Sequence, residues 1–379
     1  MENNDISTWS QLPTEILVTI LMGLYPVDCI HAGAVCVSWH AAMTRMAARN
    51  LNLPMHKLPC LILSKNQETK IHRFLSLSDN KIYRLYVCQS LGASLLGCLN
   101  EWLILMDNKN NGCFILNVNS KERIQLPRQA RVWNLAGNRN VEDFWEHGPR
   151  AVGKAILSSD PTSVDCKVVI TYLENTLVFL NLGDPVWTAF EGESDKYRYL
   201  HDIIFYHGLL HIVRYNNELT IYELGHDPDS TNQKMLPLAE PRYPPLGLPF
   251  VDDIHLVESH GNLLMILRFY EYFGERRFHR RTTCFHVFKM DASGTHWINM
   301  KSLDGQMIFL GYPKSLSTEG LSDFKRNCIY FTSTGATYNY DSANDSGIFN
   351  LEDGSIKRFP SKIRCSVSNP ATGIIPYTL

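Results

Sequence analysis

From about residue 58 to the C-terminus the chain reads as one short strand after another, with no convincing long helix between them. Strand patterns stand at 102–106, 114–118, 167–172, 176–180, 202–206, 209–214, 219–224, 262–269, 283–290, 307–311, 328–332, 347–350 and 355–359. All are rich in Val, Ile, Leu, Tyr and Phe. Turn chemistry separates them, with Asn216-Asn217 and Asp353-Gly354 as hairpin signals. A sheet protein of this length must deal with its unpaired edges, which limits it to a few closed or stacked architectures.

A weak repeat narrows the choice. Residues 100–127, 206–224, 259–290 and 324–359 share one order: a polar turn, a strand, then a second strand and a hairpin. Each unit resembles part of a four-stranded blade. At roughly 40–50 residues per blade, about 320 residues give about six or seven blades, enough to close a β-propeller. A pair of β-sandwiches is the alternative the strand content also permits.

Residues 12–48 follow a different period. Ile16, Leu17, Ile20, Leu21 and Leu24 form one apolar helical stripe. Pro13 suits a first turn, where its missing N–H costs nothing, and Glu15 complements the helix dipole there. A second short helix is expected over 27–35. A third carries Val35, Trp39, Ala42, Met43 and Met46 on one face and ends near Arg45 and Arg49. Domains shorter than about 40 residues usually need outside support. Three helices this small should therefore lean on a partner or on the following domain. Leu53-Pro54 and Leu58-Pro59 read as an extended linker.

The opening Leu12-Pro13, Glu15, Ile16-Leu17, followed by Val35-Cys36 and Ser38-Trp39, resembles the F-box. The remainder resembles the KIB-type β-propeller of plant F-box proteins, on 95–106, 113–127, 202–224 and 348–360. It departs at Asn117-Val118, where that family often has Asn-Pro. The resemblance implies a mainly β fold: a small three-helix F-box at 9–50, a linker at 51–57 and a propeller at 58–379. It implies a non-catalytic, substrate-recruiting subunit of an SCF-type E3 ubiquitin ligase. A Skp-type adaptor and, through it, a cullin scaffold would be partners, beside an unknown substrate protein. The adaptor footprint implied is Leu12, Pro13, Glu15, Ile16, Leu17, Ile20, Leu21 and Trp39. Leu17, Leu21 and Trp39 could equally serve the small domain's own core.

Bulk properties agree. The net charge of -2 gives no global pull toward nucleic acid or anionic membrane. The ten cysteines include no C-x-x-C pair and no zinc-finger spacing, so they read as structural thiols in a reducing compartment. The polar, acidic N-terminus lacks a secretory pattern and no apolar run reaches membrane-spanning length. The expected location is cytoplasmic and/or nuclear, and neither cofactor nor metal is expected.

Other constellations are weaker. His201-Asp202, His207 and His211 are close in sequence, but Gly208 marks a turn between the last two and no third ligand is placed. The run Arg276-Arg277-Phe278-His279-Arg280-Arg281 reads first as a solvated hairpin tip, and second as a contact for an acidic partner or a nuclear localisation signal. The carboxylates Asp252-Asp253 and Glu191/Glu193 are expected in loops. Two further readings stay open. A carbohydrate-binding or carbohydrate-active propeller would use exposed Trp133, Trp145 and Trp187 as sugar platforms. A pseudo-receptor would keep the F-box without a ligase role. For the substrate face, the loops around 134–150, 184–200, 225–250 and 271–281 are candidates.

Overall fold

The computed structural model describes residues 8–22, 24, 32–48, 60–63, 71–76, 82–86, 93–100, 102–107, 109–117, 120, 122–133, 139–143, 152–172, 176–190, 200–214, 218–225, 232–237, 251–273, 279–311, 315–318, 324–332, 345–359 and 374–375. The linker, most of the second expected helix and the Asn216-Asn217 turn lie outside them.

The N-terminal part has a 3-10 turn, Thr8–Gln11, and two α-helices, α1 (Thr14–Met22) and α2 (Val37–Ala48). Leu17 and Leu21 on α1 pack on Ala42 of α2, with Leu12, Val18, Trp39 and Met43 around them. A Cβ on Gly33 would come within 2.6 Å of the Met43 sulfur, so that segment lies close against α2. Arg45 reaches back to Glu15 at 3.0 Å, which ties the end of one helix to the start of the other.

The β part forms six sheets among the described residues. The first holds β1 (Cys60–Leu63), β2 (Ile71–Ser76) and β3 (Ile82–Tyr86). The second is β4 (Ala93–Leu99), β5 (Trp102–Asp107), β6 (Cys113–Asn117) and β7 (Arg123–Gln125). Next come a hairpin, β8 (Gln129–Trp133) and β9 (Arg139–Asp143), and then β10 (Val152–Leu157), β11 (Lys167–Tyr172), β12 (Thr176–Asn181) and β13 (Trp187–Phe190). The hairpin joins this third sheet through β8, parallel to β13. The fourth sheet is β14 (Leu200–Tyr206), β15 (Leu209–Arg214), β16 (Glu218–Glu223) and β17 (Asn232–Pro237). The fifth is β18 (Val251–Ser259), β19 (Asn262–Phe273), β20 (His279–Met290) and β21 (Trp297–Met300). The sixth contains β22 (Met307–Leu310), β23 (Leu316–Thr318), β24 (Cys328–Phe331), β25 (Gly347–Asn350) and β26 (Ile356–Arg358).

These sheets are arranged radially, as the blades of a β-propeller. The first strands β4, β10, β14 and β18 are successive neighbours, and β18 lies beside β23. A last strand, β27 (Ile374–Ile375), pairs antiparallel with β1, so the C-terminal end completes the first sheet. This separates the fold from paired sandwiches, where two large sheets would face each other.

The repeat has a backbone cause. The turns between the first and second strands of three blades carry φ near +50° at Asn100, His207 and His260, and Gly208 and Gly261 continue the left-handed backbone. Two such residues in a row match the twist of adjacent strands and close a two-residue hairpin. The Asp353-Gly354 hairpin also forms, between β25 and β26. The sixth sheet departs from the pattern: β22 pairs parallel with β24, and β23 takes the inner position.

Packing between blades is close. Trp102 and Trp187 are buried in the core between the second and third sheets; their indole N–H groups donate to Asp160 and to the Pro127 carbonyl at 3.2 and 2.8 Å. Paired donors are what let an indole be buried without penalty. A Cβ on Gly97 of β4 would lie 1.9 Å from the Ala155 carbonyl oxygen of β10. Gly97→Ala should therefore push two blades apart and destabilise the chain by about 1–3 kcal/mol, read as a lower denaturant midpoint in urea unfolding.

Candidate functional site

Two regions carry surface or charge beyond what packing alone requires. The first is the helical unit. Leu17 and Leu21 are fully buried in its own core, and Leu12, Ile20 and Trp39 are half-buried. The Trp39 indole donates to the Trp9 carbonyl at 3.3 Å. Pro13, Glu15 and Ile16 are exposed, Ile16 at 48%. Pro13, just before α1, and Ile16 and Ile20 on it form a strip beside Leu17 and Leu21. The small core covers one flank of the stripe and leaves the other to solvent.

Other apolar side chains of the unit are also exposed: Trp9, Met22, Val35 and Val37, the last at 86%. Val35 corrects an expectation. It stands in the turn before α2 and is not on that helix's core face, because α2 starts only at Val37. Periodicity could not reveal Trp9, Val35 and Val37 as surface, since all three lie at or outside helix ends.

The second region is a belt of buried charge along the inner strands. Lys154 of β10 binds Asp202 of β14 at 2.5 Å and also donates to the Ile203 carbonyl at 2.8 Å. The other Asp202 oxygen accepts the Leu256 backbone N–H of β18 at 2.9 Å. One carboxylate thus joins three blades. Between the fifth and sixth sheets, Ser259 and Ser317 share a hydrogen bond of 2.7 Å. Beyond them lies Arg268, with none of its surface exposed. It donates to the Thr282 hydroxyl at 2.8 Å, to the Thr332 carbonyl at 2.8 Å and to the Asp345 carboxylate at 3.0 Å. Arg358 holds the other Asp345 oxygen at 2.5 Å. The Arg268 guanidinium also lies 4.9 Å from the Phe331 ring centre.

Beside this pair, the Tyr270 hydroxyl donates to Asp253, and Arg280 approaches the same carboxylate at 3.8 Å while stacking 4.3 Å from the Tyr270 ring. Burial by itself would raise the Asp253 carboxyl. Arg280, His255 and Arg268 together outweigh it and hold the group below the ordinary carboxylate range. Burial pushes Tyr270 well up and keeps His255 below its usual value; His201 falls to about 4 for the same reason. The belt contains a register shift in each of β4, β10, β14 and β18. A bulge turns the strand locally and redirects side chains.

Several expectations change here. Asp253 lies in strand β18, not in a loop. The basic run is not simply a solvated tip: His279 begins β20, and Arg280 is buried against Tyr270. Trp187 is fully buried, so it is no sugar platform. His207 sits in the β14–β15 turn, stacked 4.1 Å from Tyr206, and His211 is buried with Nδ1 3.1 Å from the Leu209 carbonyl oxygen. Among the described residues no group of three His, Cys, Asp or Glu is placed to hold a metal ion. Glu191, Glu193, Trp145 and most of the candidate loops lie outside those residues.

An F-box-like model matches residues 9–46, and the KIB1-4 beta-propeller model matches residues 74–350. The chain belongs to the KIB1-4 β-propeller family. Its Arabidopsis thaliana relatives include "Probable F-box protein At4g22165", 23% identical over 93% of this chain and 91% of that protein. Another is "F-box/kelch-repeat protein KIB1", 24% identical over 91% of this chain and 84% of that protein. Among solved structures, the Dos1 propeller aligns over 71% of this chain and 73% of its own, at 10% identity and a TM-score of 0.34. Among the described residues no helix is long and apolar enough to cross a membrane.

The Asn117 side chain accepts the Ser120 N–H at 2.9 Å. The belt's charges are matched inside the protein, which makes it a clamp between blades. Asp345→Ala should leave Arg268 buried and unpaired, at a cost of about 3–5 kcal/mol, visible in urea unfolding. His201 adds a pH signature. Its folded pKa is depressed from the ordinary 6.5 to about 4, so its stabilisation is complete above pH 6.5 and is lost as pH falls toward 4. Denaturant midpoints should fall over that window, and less steeply in His201→Asn.

Proposed function

We propose that the chain is the substrate-recruiting subunit of an SCF-type E3 ubiquitin ligase. The N-terminal helices dock on a Skp-type adaptor, which links to a cullin scaffold, and the propeller holds a substrate protein. The chain itself is non-catalytic; chemistry belongs to the ubiquitin-loaded enzyme that the scaffold brings. The observation that carries this reading is the apolar flank of the small helical unit. Pro13 and Ile16 are exposed and Ile20 half-buried, while Leu17 and Leu21 complete the unit's own core. A unit this small gains little from its own burial, and an apolar strip of this kind marks a contact surface.

The footprint is divided accordingly. Leu12, Pro13, Ile16 and Ile20 make direct contact and Glu15 lies at the rim. Trp39 contacts the adaptor by its open edge. Leu17 and Leu21 act from inside, by fixing the angle between α1 and α2. F-box relatives and the F-box-like match at 9–46 support the same assignment.

Leu12→Ala combined with Pro13→Ala should weaken capture by an immobilised Skp-type adaptor by about tenfold without changing the propeller's thermal unfolding. Undiminished capture by the double variant would refute the assignment. Leu17→Ala should also lose capture, but through unfolding of the helical unit, seen as lost helical circular dichroism in the isolated residues 1–57 if that piece folds and otherwise as protease cleavage within 14–48 of the full chain.

A further inference from the structure

Among the described residues, the second, fourth and fifth sheets hold four strands each and end outward at β7, β17 and β21. The third holds six. Its strand β13 takes β8 beside it, parallel, and β9 pairs antiparallel with β8 from Gln129↔Asp143 to Trp133↔Arg139. Neighbouring strands lie about 4.8 Å apart, so β9 stands about 10 Å beyond the position where a four-stranded blade ends. Among the described residues nothing pairs along its far edge. A strand so placed offers a row of free N–H and C=O groups clear of the ring's rim.

The sequence of that edge is Arg139-Asn140-Val141-Glu142-Asp143. Charges on an edge strand commonly turn other strands away. Two copies of this strand laid parallel and in register put Arg139 on Arg139, Glu142 on Glu142 and Asp143 on Asp143. Laid antiparallel about Val141, they put Arg139 opposite Asp143 and Asn140 opposite Glu142, and Val141 opposite itself. Opposite charges at facing positions stabilise an antiparallel ladder, and like charges there destabilise it. The backbone selects the same register. A strand turns the N–H and C=O of alternate residues to a given edge, so two copies of one strand meet only where the facing residue numbers have an even sum. Of those registers, only the one centred on Val141 pairs every residue of β9.

We propose that two copies of this chain associate edge to edge through β9, antiparallel about a two-fold axis at Val141. The contact is isologous, so each copy uses up the other's edge and the pair does not grow into a fibre. It belongs to the rim of the third blade and does not depend on the ligase reading. A ladder this short is a small interface, so the pair forms reversibly as concentration rises.

The test is sedimentation velocity of the full-length chain over a concentration series, with charge-swapped variants alongside. The unsubstituted chain should pass from monomer to dimer as concentration rises, less readily in high salt. Arg139→Asp and Asp143→Arg, each alone, put like charges at facing positions and should weaken association by about tenfold or more. Both substitutions in one chain restore the opposite charges, and association should return. The two single variants, mixed, should form a dimer that neither forms alone. Melting curves establish that each sample is folded. If the charge variants melt early, Val141→Cys takes their place. Facing Cα atoms of an antiparallel ladder are about 4.5–5.5 Å apart, within disulfide reach, so mild oxidation should convert this variant, and not the unsubstituted chain, to a covalent dimer. Monomer at every concentration, association indifferent to the single charge changes, no recovery in the folded double variant, or no cross-link through Val141→Cys would each overturn the proposal.

Discussion

A ring of short sheets must join each sheet to the next without a continuing hydrogen-bond ladder, and that constraint governs the whole propeller. Apolar packing supplies most of the contact between blades, but the inner strands present open edges whose polar groups need partners. The protein answers with side chains. Asp202 accepts an N–H from the edge of β18 while holding Lys154 of β10. Asp345 does the same for β20, accepting the Thr282 N–H while gathering Arg268 and Arg358. Each carboxylate is a bridge between blades and also the counter-charge that allows a cation to be buried.

The same devices explain what projects from the ring. β19 and β20 pair with each other beyond the reach of β18 and β21, and Tyr270, Arg280 and Thr282 are buried there. The helical unit follows the opposite logic. Its core is little more than Leu17, Leu21 and Ala42 with partly covered neighbours. The apolar flank left over is therefore large relative to the unit, and function is read there from what remains uncovered.

Strands were the most legible part of the sequence, because their residue types and turns agree. The strands at 167–172, 209–214 and 347–350 have the bounds expected of them, since polar turn residues border each run. Strands 262–269 and 283–290 were read too short: residues 270–273 and 279–282 look like a loop in sequence, and the buried partners of Arg280 and Thr282 hold them in strands β19 and β20. The belt was invisible for a related reason. Lys154, Asp202, Asp253, Arg268 and Asp345 are far apart in sequence, and a charged residue in a strand pattern reads as solvent-facing until the neighbouring blade is present. On the helices, the stripe was plain, but its division into core and surface was not. Leu17 and Ile16 are adjacent and equally apolar; only the position of α2 separates them.

The most direct test of the account is capture of the full-length chain, and of a chain starting at Met55, by an immobilised Skp-type adaptor, with both proteins first shown to be folded. The account predicts that the full chain is retained and the shortened chain is not. Failure of the folded full-length chain to bind, or equal retention of both, would contradict it.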